Sequence, residues 1–370
     1  MKKKVVSVLL TAAMAVSLLA GCGGSTSEGD GDEPKKTAEE EAGVETVEEK
    51  SITGAEFDPS EVYAKDNSGI KIGLTLMTYD FQFFRDMIAQ AKSTADELGV
   101  ELIDYDGSND TTKQANAVDD LVSQGVDALF LNPVDGDAIG GATQEANGAG
   151  IPVITVDVKS STGKVECHVS SDNKMIGEEA AKAAVELLKE KNGGESGFIY
   201  ILGFDPISSI RDRAEGFIEY IEQFPDIEYV HEDPDTLTAE KALEKMEAVL
   251  QTYGEGKVDI VFGANESDAI GVISAADAAG RKDFSVIGVD DSPTLNEALA
   301  DPDSIYYASV IQQPMEMGKY GVELCTMAAQ GMDLDATYIA TPLLTVTKET
   351  IADYEKDMAE KREALADYYD

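Results

Sequence analysis

Short apolar runs alternate with amphipathic helical patterns from Ile70 onward. The run from Ile70 to Met77 is typical of a buried strand, and apolar positions between Phe84 and Leu98 then recur at helical spacing. Gly99 predicts the end of that helix, because glycine adopts the left-handed conformation that closes helices. Further apolar runs predict strands at 100–105, 128–131, 152–156, 198–202, 259–263, 285–289 and 307–311. The intervening patterns predict helices, two of which end at Gly125 and Gly150.

This alternation predicts an α/β fold of parallel sheets covered by helices on both faces. One sheet would need too many strands, so we divide the chain near Ser171 into two doubly wound lobes. Some late strands are expected to return to the first lobe, which requires more than one crossover.

Polar side chains follow most of the predicted strands. Ligands of such sheets bind at the carboxyl ends of the strands, so these positions are the candidates for a binding site. A single Asp at such a position also fits a helix cap or a turn. Several polar strand ends that converge on one cleft are harder to explain by capping. The candidates at or near strand ends are Phe83, Phe84, Asn132, Asp157, Arg211, Asn265, Asp290 and Gln312.

Several short motifs occur in a recognisable order between about Gly69 and Lys348. They are Leu131-Asn132-Pro133, the run from Ile151 to Asp157, Ser171-Asp172-Asn173, the run from Arg211 to Phe217, Asn265-Glu266, the run from Ile287 to Asp290, and Gln312-Gln313-Pro314. Together these motifs resemble the type 1 periplasmic binding proteins of the sugar class, in the pattern of the ribose binders.

The resemblance implies two lobes joined by a hinge of three crossover strands, which close on a monosaccharide. Its expected boundaries are 69–171 plus 313–341 for the N-terminal lobe and 172–312 plus 342–347 for the C-terminal lobe. Polar ligand contacts are implied at Asn132, Asp157, Arg211, Asn265, Asp290 and Gln312. Phe83 and Phe84 match an aromatic pair that sandwiches the sugar ring. Carboxylates, amides and a guanidinium suit sugar hydroxyls, which both donate and accept hydrogen bonds.

Three positions depart from the pattern of the ribose binders. Val158 stands where an arginine follows the strand-end Asp, and Leu237 and Val289 replace aromatic residues of the second lobe. A pocket with one arginine fewer and less stacking surface predicts a sugar, polyol or sugar-like ligand other than ribose.

The amino terminus has the pattern of an export signal over residues 1–21. Met1 to Lys4 includes three lysines, and the apolar run from Val5 to Ala20 leads to Leu19-Ala20-Gly21-Cys22. This motif resembles the lipobox of bacterial lipoproteins, which implies a lipid anchor on Cys22. Residues 22–68 are rich in Gly, Ser, Thr and Glu and predict a disordered acidic tether. The expected location is therefore outside the cytoplasm, anchored to a membrane.

The charge balance argues against nucleic acid as a partner. The chain has 72 acidic and 29 basic residues, for a formal net charge of −43. The same two-lobed fold serves sugar-responsive repressors, but those carry an N-terminal helix-turn-helix where this chain has an export signal. The sequence lacks a Walker A motif, a G-x-S-x-G elbow, H-E-x-x-H and C-x-x-C, and it has only two histidines. No enzyme activity, cofactor or metal is therefore expected.

The functional prediction is a monomeric solute-binding protein that delivers its ligand to the permease of an ABC importer. The alternative is a receptor that presents the ligand to a sensor kinase or chemoreceptor. Two features stay open. Cys167 and Cys325 form either a disulfide or a pair of buried thiols, and the charged helical tail at 348–370 either lies on a lobe or projects freely.

Overall fold

The computed structural model describes residues 50–203, 206–234 and 238–369. The predicted export signal, Cys22 and most of the predicted tether lie outside these residues, as does Leu237. The strands are β1 (Ser51–Thr53), β2 (Lys71–Leu76), β3 (Glu101–Asp106), β4 (Ala128–Leu131), β5 (Val153–Val156), β6 (Cys167–Ser170), β7 (Gly197–Leu202), β8 (Ile227–Glu232), β9 (Ile260–Gly263), β10 (Ser285–Val289), β11 (Tyr306–Ile311), β12 (Tyr338–Ala340) and β13 (Leu344–Thr347).

The helices lie between these strands and after the last one. They are α1 (Ser60–Tyr63), α2 (Gln82–Leu98), α3 (Thr111–Ser123), α4 (Gly140–Gly148), α5 (Asn173–Asn192), α6 (Ser208–Ile221), α7 (Ala239–Thr252), α8 (Glu266–Ala279), α9 (Pro293–Ala300), α10 (Pro314–Ala329) and α11 (Ile351–Ala364), followed by a short 3-10 turn at Ala366–Tyr368.

Several helices begin at residues whose side chains accept hydrogen bonds from the first backbone N–H groups, or end at glycines in the left-handed conformation. The Asp110 carboxylate accepts hydrogen bonds of 2.9 Å from the backbone N–H groups of Thr112 and Lys113 at the start of α3. Gly99 follows α2 with a φ of 72°, in the left-handed region where glycine is free of strain. The predicted helix end at Gly99 is thus confirmed.

The first lobe is built on a seven-stranded sheet in the order β1-β12-β6-β5-β4-β2-β3. All neighbouring pairs in this sheet are parallel. Helices α2 and α10 cover one face, where Leu74, Phe130 and Met87 belong to one buried apolar cluster. Helices α3 and α4 cover the other face around Leu129 and Leu131.

The second lobe is built on a six-stranded sheet in the order β13-β11-β10-β9-β7-β8. Its pairs are parallel except that β13 runs antiparallel to β11. Helices α5 and α6 cover one face, where the rings of Phe217 and Phe262 stack with centroids 4.4 Å apart. Helices α7 and α8 cover the other face. The predicted α/β fold with parallel sheets in two lobes is confirmed.

Within the described residues the chain passes between the two sheets three times. The passages lie between β6 and α5, between β11 and α10, and between β12 and β13. Two of them touch, because the Thr341 N–H donates to the Ser170 carbonyl at 2.9 Å and the hydroxyls of Ser171 and Thr341 are 3.2 Å apart. Three passages of the chain between two lobes suit a hinge motion.

The predicted disordered tether over 22–68 is wrong for its last part. Strand β1 adds to the edge of the first sheet beside β12, and α1 follows it. Val62 is fully buried in the first-lobe core, and the Asn67 side-chain amide donates to the carbonyls of Val62 and Leu98. Edge pairing and burial of apolar side chains order this segment, although its overall composition is polar.

The C-terminal tail lies on the protein. Ile351, Tyr354 and Met358 of α11 pack into the core of the second lobe. A charged sequence therefore still supplies a buried apolar stripe at helical spacing. No helix in the described part of the chain combines the length and apolarity needed to cross a bilayer.

Cys167 and Cys325 are both buried and both are free thiols. They belong to the same apolar cluster of the first lobe. Of the two alternatives that the sequence leaves open, the structure has the buried thiols.

Candidate functional site

Two aspartates end corresponding strands of the two sheets in the same unusual backbone conformation. Asp157 follows β5 with a φ of 62°, and Asp290 follows β10 with a φ of 72°. Their N–H groups donate to the carbonyls of Val169 and Val310 on the neighbouring strands, at 2.8 and 2.9 Å. A left-handed Asp is uncommon, and such strain persists where the surrounding structure enforces it, often at functional sites.

Arg213 of α6 is the buried cation of this region, with 6% of its surface exposed. Its Nη1 lies 3.7 Å from Asp290 Oδ2 and donates to the Ala264 carbonyl at 3.2 Å. Its Nε donates to Asn173 Oδ1 at 2.9 Å. The Gln312 amide nitrogen donates to the other oxygen of Asp290 at 2.6 Å. These contacts give each side chain a single orientation, so the donors and acceptors of the site are arranged before any ligand enters.

Asp157 connects the two lobes electrostatically. Burial raises the pKa of its carboxyl to about 6, against the charge of Arg213 and the hydrogen bond from Asn132, while the charge of Asp290 adds to the rise. Arg213 and Asp290 belong to the second lobe and Asp157 to the first. Charged groups of the second lobe are therefore close enough to Asp157 of the first lobe to act on its charge.

An aromatic group lies at the start of α2 in the first lobe. Phe84 is buried in the core and meets Phe83 edge to face, with ring centroids 5.1 Å apart. Phe83 is half-buried, and Phe81 is 59% exposed. Phe83 and Phe81 are thus the rings with free surface for stacking, and sequence reasoning did not select Phe81. Its position at the N-cap of α2, outside the apolar helical face, was the available signal.

A sequence profile described as the periplasmic binding protein domain matches residues 72–333. The chain belongs to this family.

The relatives agree with this assignment. The ribose import binding protein of Bacillus subtilis (strain 168) is 34% identical over 303 residues, which cover 80% of this chain and 95% of the relative. A solute-binding protein of an ABC transporter from Bacillus halodurans C-125, solved with bound myo-inositol, has a TM-score of 0.65 and 27% identity, and the match covers 79% of this chain and 99% of that one. The periplasmic ribose ABC transporter structure from Conexibacter woesei DSM 14684, at 22% identity, shares the fold with a TM-score of 0.72 over 79% of this chain and 96% of that one.

The structure of this periplasmic binding protein brings together Asp157, Asp290 and Gln312 from the predicted set. It adds Arg213 and Asn173, which sequence reasoning quoted within motifs but did not assign to the site. That Asp157, Asp290 and Gln312 contact the ligand stays a prediction.

Arg211 was the arginine predicted for the site. Its side chain is 44% exposed, and its Nε lies 3.9 Å from the carboxylate of Asp212. The arginine whose charge acts on Asp157 is Arg213. Helical phase explains the difference, because Arg213 shares the buried face of α6 with Ile210 and Phe217. Spacing of three and four residues from these apolar positions was the signal that could have selected Arg213.

Asn132 and Asn265 are engaged within their own lobes. Asn132 accepts from the Met77 N–H at 3.0 Å and donates to the Val156 carbonyl at 2.9 Å and to Asp157 Oδ2 at 3.2 Å. Asn265 caps α8 by accepting from the Asp268 N–H at 3.0 Å. Both side chains are buried, so the structure shows positioning roles. Direct contact with a ligand stays a prediction for both.

The departures from the ribose binders have unequal structural support. Val158 is half-buried beside Asp157. Val289 is fully buried in the core of the second lobe. A β-strand alternates its faces, and Val289 points into the sheet's own core.

The family works outside the cytoplasm, and its members are solute-binding proteins rather than enzymes. In the described ranges, no group of three or more His, Cys, Asp or Glu side chains is arranged to hold a metal ion.

Proposed function

We propose that this protein captures a small polyhydroxylated ligand, a monosaccharide or a related polyol, between its two lobes and delivers it to an ABC importer. The observation that carries the proposal is the set of Asp157, Asp290 and Gln312 at strand ends of the two lobes together with Arg213 of α6. Gln312 donates to Asp290 at 2.6 Å, Arg213 lies 3.7 Å from Asp290, and the charges of Arg213 and Asp290 both act on Asp157.

This chemistry suits hydroxyl groups better than a charged ligand. Arg213 lies 3.7 Å from Asp290 and its charge also acts on Asp157, so its charge is already balanced and an anion gains little from it. A hydroxyl group can donate to a carboxylate and accept from the guanidinium or the amide at once. A ligand with a wrongly placed hydroxyl leaves buried groups unpaired, which is the source of selectivity. Phe83 and Phe81 offer ring faces for the apolar side of a sugar.

The relatives support the ligand class. One is named for ribose import, and one was solved with myo-inositol. Val158 stands beside Asp157 where the ribose binders have an arginine, so we propose a ligand other than ribose. Closure of the lobes buries the ligand, and the permease recognises the closed form.

A screen of the purified protein against pentoses, hexoses, polyols and nucleosides tests the ligand class. A ligand at about 100 times its Kd stabilises the folded state by about 2.7 kcal/mol, which a thermal-shift assay detects. We expect a saturable rise in Tm with at least one sugar or polyol, and none with ribose at micromolar concentration. Stabilisation by nucleosides alone would contradict the proposed ligand class. Calorimetric binding of ribose at micromolar affinity would contradict the exclusion of ribose.

We also propose that Cys22 carries the lipid anchor. Two acyl chains hold a protein at a membrane far better than one, since each buried CH2 contributes about 0.8 kcal/mol. In cells fed labelled palmitate, the Cys22→Ser variant is expected to lose the label and the membrane association. Cys167→Ser is the matched control, because Cys167 is buried in the first lobe. Full labelling of Cys22→Ser would refute the anchor.

A further inference from the structure

The C-terminal tail contacts both lobes. Helix α11 packs into the second-lobe core and follows β13 of the second sheet directly. The 3-10 turn that follows α11 reaches α2 of the first lobe, where the Tyr368 hydroxyl donates to Asp96 at 2.9 Å. A segment fixed to one lobe and bonded to the other must respond to any hinge motion between them.

The strongest of these contacts is made by Arg362 with Asp86 of α2. The Asp86 side chain is only 3% exposed, and its Oδ2 lies 2.8 Å from Arg362 Nη2. Arg362 Nε lies 3.2 Å from the other oxygen, and the Tyr369 hydroxyl donates to that oxygen at 2.6 Å. Gln82, from the first turn of α2, donates to it at 2.7 Å. A buried carboxylate of the first lobe thus takes its counter-charge from the tail.

Arg362 acts on a second carboxylate, Asp291, which belongs to the second lobe. Burial raises the pKa of Asp291, and the nearby charges of Asp290 and Asp86 add to the rise. The hydrogen bond from Tyr354 and the charge of Arg362 oppose it. Asp86 and Asp291 therefore repel each other across the lobes, and Arg362 lies where it offsets that repulsion.

We propose that Arg362 is an interlobe brace that holds the two lobes in the arrangement seen in this structure and thereby resists opening of the cleft. Its guanidinium binds Asp86 of the first lobe while its own helix is embedded in the second, so opening must break the bidentate contact or pull α11 from its core. Loss of the guanidinium leaves Asp86 and Asp291 as two partly buried like charges on opposite lobes, which favours opening. The brace also fixes the start of α2, which carries Phe83. The inference rests on the proposed function only in treating the closed cleft as the ligand-holding form.

The test measures the distance between the lobes without any ligand. Spin labels on cysteines introduced at Asp137 in the first lobe and Thr294 in the second, both exposed, report the distance by double electron–electron resonance. The native Cys167 and Cys325 are buried. Arg362→Met is expected to raise the ratio of open to closed molecules about tenfold, the effect of losing one charge-assisted hydrogen-bonded contact. Tyr369→Phe is expected to shift the ratio in the same direction by a smaller factor.

Lys356→Met is the matched control, because Lys356 is an exposed cation on the same helix whose partner is Glu360, at 3.9 Å. Its distance distribution is expected to equal that of the unaltered protein. A folded Arg362→Met variant with an unchanged distribution overturns the brace. If Arg362→Met does not fold, Tyr369→Phe decides, and an unchanged distribution in that variant overturns the brace. Because no ligand is added, a failed sugar screen leaves this result intact.

Discussion

Replacing Arg213 by glutamine removes the cation that pairs with the carboxylate of Asp290 and acts on the charge of Asp157. The ion pair with Asp290 spans 3.7 Å, at which unit charges attract by about 4 kcal/mol for an effective dielectric constant of about 20. Desolvation offsets part of this attraction, but the two carboxylates stay partly buried after the substitution. We therefore expect the free energy of unfolding to fall by about 3 kcal/mol.

Ligand affinity is expected to fall as well. Arg213 supplies charged donors, and each hydrogen bond to a charged group contributes about 1.5–3 kcal/mol, which is more than tenfold in Kd. The matched control is Lys356→Gln, an exposed cation on α11. A surface substitution of this kind changes the free energy of unfolding by less than about 0.5 kcal/mol.

Calorimetric titration with the sugar or polyol that the thermal screen identifies gives Kd for both variants. Urea unfolding gives their free energies of unfolding. We expect Arg213→Gln to weaken binding at least about tenfold, and Lys356→Gln to stay near the unaltered affinity. Equal losses in the two variants, or near-native binding by Arg213→Gln, would refute the assignment of the cleft arginine.

Three further predictions concern pH, packing and stacking. Burial raises the pKa of Glu323 to about 7 from 4.5, so the folded state binds its proton more tightly and stability falls as pH rises from about 4.5 to 7. The free energy of unfolding of Glu323→Gln, measured with urea, should therefore rise relative to that of the unaltered protein by about 2–3 kcal/mol between pH 5 and pH 8. If the difference between the two proteins stays constant over this range, the raised pKa of Glu323 is contradicted. A Cβ at Gly177 would lie 1.9 Å from the Arg213 carbonyl, so Gly177→Ala should lower the free energy of unfolding by about 1–3 kcal/mol, whereas Gly141→Ala, with open space around it, should not. Phe83→Ala should weaken ligand binding with little loss of stability, whereas Phe84→Ala should cost about 3–5 kcal/mol of stability. Calorimetry measures the binding and urea unfolding measures the stability. A large loss of stability in Phe83→Ala and a small one in Phe84→Ala would refute the placement of these rings.

The alternation of apolar runs and helical patterns was sufficient to predict the fold class. Strands β4 and β10 match the predicted runs at 128–131 and 285–289 residue for residue. Both are central strands of their sheets, buried on both faces, and therefore appear in the sequence as continuous apolar runs.

The strands that the pattern missed include three of the four at the sheet edges. Strand β8 has the sequence IEYVHE, and β1 and β13 are three and four residues long. An edge strand needs little apolar character because one side faces solvent, so its formation depends on a partner strand that is distant in sequence. The pattern missed the ordered part of the predicted tether for the same reason, since β1 forms by pairing with the distant strand β12.

The sequence by itself determined which strand ends carry polar groups, because the carboxyl ends of parallel strands share one edge of a sheet. Asp157, Asp290 and Gln312 were identified in this way. Only the tertiary structure decided that Arg213 is buried beside Asp290, since that depends on which face of α6 packs against the second sheet. It also decided that Arg362 of the tail meets Asp86, a residue 276 positions earlier in the chain. Local periodicity carries no information on such a contact, which exists because two lobes and one helix fold against each other.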